Sequence, residues 1–102
     1  MKAKDVKAKF RATKVWKEFR QKMRDKQNGL DYITGKKLNK FWNLHHLDMS
    51  IENYEKLEED NFICLNKQTH ETLHFLFRYY QKDPAILDRL KTVLDRMNEL
   101  NK

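Results

Sequence analysis

The chain has 102 residues, among them 22 Lys or Arg, 15 Asp or Glu, four His and one Cys, and a formal net charge of +7. That length suits one modest domain. Hydrophobic residues at 39% are too many for a disordered chain. The lone Cys64 excludes a disulfide framework and a four-thiolate zinc site. No apolar run approaches the roughly 20 residues of a membrane span, and the charged start lacks a signal core. The expectation is a basic, cytoplasmic domain with no membrane partner, and two Gly and one Pro suggest a helix-rich chain with few tight turns.

Taken in order, residues 4–27 read as one basic amphipathic helix. Phe10, Val15, Trp16, Phe19 and Met23 recur at three- and four-residue steps between Lys and Arg. Asn28-Gly29 stops it. Trp16 and Phe19 are assigned to core packing rather than base stacking. Residues 30–39 form a small turn or hairpin centred on Thr34-Gly35-Lys36. Residues 40–47 are a strand, 48–60 an acidic loop with room for one helical turn, and 61–65 a second strand that buries Cys64. Asn66 then caps a helix running to about Gln81. Asp83-Pro84 starts the last helix. Its stripe of Ile86, Leu87, Leu90, Val93, Leu94, Met97 and Leu100 is read as core, with a dimer seam as the alternative.

The charge is unevenly divided. Residues 1–40 carry +10, residues 41–74 carry −5 and residues 75–102 carry +2. A basic arm thus precedes an acidic middle that contains every histidine. Lys7, Lys9, Arg11, Lys14, Lys17, Arg20, Lys36, Lys37 and Lys40 are the candidate contacts to a nucleic-acid backbone.

The histidines are His45-His46 and His70-x-x-x-His74. Residues four apart on a helix share a face, so His70 and His74 can address one ion. Neighbours on a strand point to opposite sides, so His45 and His46 divide the labour. One joins the ion and the other faces outward as a base.

The stretch Thr34-Gly35, Asn43-Leu44-His45-His46-Leu47, Asp60-Asn61-Phe62-Ile63-Cys64-Leu65 and His70-x-x-x-His74 resembles the HNH endonucleases, the ββα-metal or His-Me finger nucleases. Asn61 lies 15 residues after His46, and His70 nine after Asn61. That spacing is similar to the colicin-type nuclease domains of the family. The resemblance covers roughly residues 30–78. It implies an α+β fold, a single domain over 1–102. Within it, a basic helical arm (1–29) and a C-terminal amphipathic helix (83–102) flank a ββα-metal core (30–82).

The resemblance also implies a metal-dependent endonuclease that hydrolyses phosphodiester bonds, in DNA or RNA, as monomer or homodimer. His45, His70 and His74 would hold one divalent ion and His46 would be the general base. Asn61 would fix the loop that aims His46. Zinc, nickel, cobalt or manganese suits a three-imidazole site, with magnesium a looser fit. Many relatives add two Cys pairs around a structural zinc. Here those positions carry residues such as Asp31, Leu65 and Thr69, so the turn must be held by packing, with Tyr32, Ile33 and Trp42 as candidates. Phe41 and Trp42 are also assigned to packing. Small stand-alone members of the family are often phage or mobile-element proteins.

Two other readings compete. His70-Glu71-Thr72-Leu73-His74 matches the H-E-x-x-H helix of zinc proteases, with Glu71 as base and Glu99 as a remote third ligand. That reading leaves His45, His46, Asn61 and the basic arm without a role. The second is a non-catalytic nucleic-acid-binding ββα module.

Overall fold

A computed structural model describes residues 3–102. Its elements are α1 (Ala3–Arg11), α2 (Lys14–Lys26), β1 (Asn43–His46), a 3-10 turn (Glu59–Asn61), β2 (Phe62–Leu65), α3 (Lys67–Lys82) and α4 (Ala85–Leu100). The fold is α+β: four helices and a two-stranded antiparallel sheet. The chain divides into two compact units, one ending at His70 and the other Glu71–Lys102.

The first unit holds the core. The expected helix over 4–27 is two helices, because Thr13 is an N-cap rather than a helical residue. Its φ/ψ of −75/152° is extended, and its Oγ1 accepts the Trp16 N–H at 3.2 Å. Restarting the helix there turns Trp16, Phe19 and Met23 inward and leaves Val15 59% exposed, so Val15 is no core residue. Phe10, Trp16, Phe19, Met23, Leu38, Trp42, Leu44, Tyr54, Phe62 and Cys64 form one buried cluster. Its interior is aromatic, with Phe19 and Phe62 in an edge contact at 4.9 Å.

α2 ends where Asn28 and Gly29 take φ of 58° and 69°, and the Gly29 N–H donates to Arg24 O at 2.9 Å. Gln27 then reaches across to β2. Its Oε1 accepts the Cys64 N–H at 2.9 Å. The hairpin after it closes through a Leu30–Lys37 bridge, with Gly35 at φ 71°.

Of the residues expected to pack around this turn, Trp42 is buried with Leu38 in the core, but Tyr32 and Ile33 are not. Tyr32 and Ile33 are 67% and 54% exposed. The brace is Asp31, which is 1% exposed. Its Oδ1 accepts the N–H groups of Ile33 and Thr34, and its Oδ2 accepts the Asn66 N–H at 2.9 Å. One carboxylate thus ties the turn to the start of α3. Burial alone would raise its pKa. The bonds from Thr34, Asn66, the Thr69 side chain and Ile33 outweigh burial and hold the carboxyl below its ordinary 3.8.

Asn66 stands directly before α3, and its carbonyl accepts the His70 N–H at 2.9 Å. Its Oδ1 accepts the Asn39 N–H at 2.8 Å and its Nδ2 donates to Lys37 O at 3.1 Å, stitching residues 37–39 to the helix start. β1 and β2 are shorter than expected and pair with His45 opposite Ile63 and His46 opposite Phe62.

In the second unit no residue of α3 or α4 is buried. The stripe on α4 is therefore not core: Val93, Leu94, Met97 and Leu100 are 53–66% exposed. The hydrophobic period alone reports a face and not what covers it.

Candidate metal centre

β1 delivers two adjacent histidines to opposite sides of the sheet, as strand alternation requires. His45 meets His70 from α3. Its Nδ1 lies 3.1 Å from His70 Nε2, with the rings edge-to-face at 5.0 Å. His74 follows one turn later on the same unbroken helix.

Among the described residues, His45, His70 and His74 each offer a ligand nitrogen, and these atoms all lie within 4.8 Å of one another. Two imidazoles on one tetrahedral ion place their donor atoms about 3.3 Å apart, given Zn–N bonds near 2.0–2.1 Å. The His45–His70 separation is close to that spacing, and three imidazoles are a donor type suited to a divalent ion. His45 is buried, and His70 and His74 are half-buried.

His46 lies on the other side and does not face outward. Its ring is sandwiched between Tyr54 (4.2 Å, 14°) and Trp16 (5.5 Å, 8°), with Phe62 at 4.6 Å. Its Nε2 is 3.1 Å from Tyr54 O. A carbonyl can only accept, so Nε2–H donates and Nδ1 keeps the lone pair of the neutral ring. Burial lowers its pKa below the ordinary 6.5. The Tyr54 bond and Asp48 oppose this, and the Lys7 and Arg11 charges add to it.

Asn61 stands just ahead of β2. Its Oδ1 accepts the Asp48 N–H at 2.8 Å, and its carbonyl accepts the Leu47 N–H at 2.9 Å. Both bonds close the base of the loop that begins two residues after His46. Asp48 continues the bracing. Its carboxylate accepts from Ser50 N and Asn53 Nδ2, which draw its pKa below the usual range.

The nine basic candidates do different jobs. Lys7 Nζ lies 5.1 Å over the Tyr54 ring, and Arg11 Nη1 donates to Tyr54 Oη at 3.5 Å, so both border the residue that holds His46. Lys9 and Lys17 are exposed on α1 and α2. Lys14 pairs with Glu18 at 3.7 Å, both well exposed. Arg20 is committed to packing: its guanidinium lies 3.6 Å over the Trp42 ring and donates to Trp42 O at 2.7 Å. Lys36 and Lys37 lie exposed on the hairpin, and Lys40 Nζ lies 5.0 Å from the Phe41 ring. Trp42 is buried as expected, but Phe41 is 64% exposed.

Reading from sequence missed two residues. Asp31 had a signal, an Asx-turn pattern ahead of Thr34-Gly35. Tyr54 had a fainter one, as a lone aromatic in an otherwise polar loop. Of the protease reading, Glu99 pairs with Arg96 at 3.4 Å, and the third donor beside His70 and His74 is His45.

Compared with family models, with curated proteins and with solved structures, the chain finds no match.

Proposed function

We propose that this protein is a metal-dependent endonuclease of the HNH type, acting on the phosphodiester bonds of DNA. The observation that carries the reading is the convergence of His45, His70 and His74 within 4.8 Å, with His46 next in sequence and locked by a backbone carbonyl.

The three imidazoles would hold one divalent ion, which when bound supplies a Lewis acid for the charge that develops on the phosphate and on the departing oxygen. His46 supplies the base. With Nε2–H tied to Tyr54 O, its Nδ1 is the atom that accepts a proton from water. The Trp16 and Tyr54 rings fix the plane of the imidazole, so little reorganisation is needed. Asn61 acts through the loop: its bond to Asp48 fixes the chain just beyond His46. Lys7 and Arg11, beside Tyr54, offer positive charge to the backbone of the nucleic acid.

The same residues count against a metalloprotease. A third imidazole completes the His70–His74 pair, whereas that reading places the donor at Glu99 and gives His45 no work.

The test is relaxation of supercoiled plasmid with magnesium, manganese, cobalt, nickel or zinc. Nicking that is abolished by chelator and by His46→Ala supports the reading. Mobility shifts without cleavage under every metal would instead make the chain a nucleic-acid-binding module. Casein cleavage lost in Glu71→Gln would make it a protease.

A further inference from the structure

Beside the strand pair that carries His45, the first unit holds an open cavity of about 290 Å³. Ile63, the register partner of His45, and Leu47, two residues beyond His45, form part of its wall. The volume sits at the lower end of small-molecule sites, roughly 300–1,000 Å³, so it admits one ring system rather than a long ligand.

Two large side chains line the cavity with little cover. Tyr32 is 67% exposed and Leu47 50%. The Tyr32 backbone is nevertheless fixed, because its N–H donates to Cys64 O at 2.9 Å on the outer edge of β2. An aromatic ring on a fixed backbone beside open space is a stacking surface for another planar ring.

The polar groups left open in the wall are acceptors. The Gln27 amide is used up: its Oε1 accepts the Cys64 N–H, and its Nε2 donates to Leu30 O and Cys64 O. The Glu59 carboxylate is held by Lys22 at 3.2 Å and Lys26 at 3.1 Å. The Leu47 N–H donates to Asn61 O, so alternation along β2 turns the Phe62 carbonyl to the outer edge, the side of Gln27 and Tyr32. Among the described residues nothing donates to that carbonyl or to the Asp60 carboxylate. A ligand for this wall must therefore bring donors and a flat apolar face. Of the nucleobases, only guanine carries two adjacent donors on its pairing edge, N1–H and the 2-amino group, and one carboxylate accepts both.

We infer that the cavity is a subsite for an unpaired guanine. The Asp60 carboxylate accepts N1–H and the 2-amino group, Tyr32 stacks on the ring, and the Phe62 carbonyl offers a further acceptor. In a duplex that edge is taken by cytosine, so the site reads a base in a single strand or one turned out of the stack. This deepens the nuclease reading and rests on it only in taking nucleic acid as the ligand.

Fluorescence anisotropy of short labelled oligothymidylates, in chelator so that no cleavage intervenes, tests it. One central guanine tightens binding about tenfold, within the reach of a bidentate base contact. Inosine in its place, which lacks the 2-amino group, loses most of that gain. Asp60→Asn abolishes the guanine preference and keeps at least the wild-type affinity for the all-thymine strand. Tyr32→Ala weakens the guanine strand about tenfold, and Tyr32→Phe restores it. Both side chains are exposed, so the fold survives the changes. A guanine strand bound no more tightly than the inosine or all-thymine strand overturns the inference. So does a preference that survives Asp60→Asn, or a failure to bind any strand. Plasmid nicking is read separately: cleavage without guanine preference removes the subsite alone, and guanine preference without cleavage removes the nuclease alone.

Discussion

The Nδ1 of His45 and the Nε2 of His70 face each other at 3.1 Å, across the gap between β1 and α3. Residues 25 apart in sequence have been brought to the distance of two ligands on one ion, with a third imidazole one helical turn away. The remaining elements of the first unit hold that pair in place.

The first prediction concerns the ion. Zinc or nickel added at 100 times its Kd stabilises the fold by about 2.7 kcal/mol, visible as a rise in Tm. His70→Ala loses that rise, because it takes away the donor that faces His45. Calorimetric titration of both proteins with nickel checks the same point.

His46 carries two burdens that substitutions can separate. His46→Ala empties the space between Trp16 and Tyr54 and destabilises the fold by about 2–4 kcal/mol, comparable to other large-to-small core changes. His46→Phe refills the sandwich and recovers much of that stability. Neither recovers cleavage, because a positioned base is worth roughly 10²–10⁴ in rate. Urea unfolding beside plasmid nicking tells the two effects apart.

Asp31 predicts the acid limit of the fold. Its pKa is depressed in the folded protein, so its contribution is fully present above the unfolded value near 4 and is lost as pH falls through the lower folded value. Asp31→Asn removes a charge that accepts three backbone N–H groups. It lowers stability at pH 7 by about 2–3 kcal/mol, the scale of bonds to a charged group. Its urea midpoint also changes less than that of wild type between pH 5 and pH 2, an interval set by the carboxyl pKa near 3.9.

Asn61→Ala is expected to act on the loop. It leaves the Asp48 N–H without its 2.8 Å acceptor and costs about 1–2 kcal/mol. Amide exchange at Asp48 speeds up, and nicking falls although His45, His70 and His74 still bind nickel.

Cys64 is fully buried in β2, and burial pushes its thiol up to about 11. It therefore stays protonated at pH 8 and resists a disulfide-exchange reagent until the chain unfolds. Reaction in urea should track the unfolding curve.

What could be read in advance was local. The three-and-four spacing of Trp16, Phe19 and Met23, the Asn28-Gly29 stop, the Gly35 turn and the strand pair around Cys64 all follow from near neighbours. The helix spacing of His70 and His74 and the strand alternation of His45 and His46 are equally local, but the choice of His45 as their companion rests on the resemblance to the HNH pattern. The misses need distant information. The outward orientation expected of His46 fails because Trp16 and Tyr54, 30 residues upstream and eight downstream, close over it. Asn66 reads from sequence only as the start of a helix, whereas both ends of its amide also bond to residues 37–39. Asp31 resembles a surface turn residue until Asn66 donates to it from 35 residues away. Thr13 breaks the first helix because its hydroxyl competes for the Trp16 N–H, which a periodicity of apolar residues does not register.

The most direct measurement is plasmid relaxation against equivalents of metal added to the metal-free protein. The rate should climb to a plateau at one ion per chain in wild type and remain at background in His45→Ala and His46→Phe. Nicking that persists in chelator, or that survives in either variant, would contradict a nuclease built on these histidines.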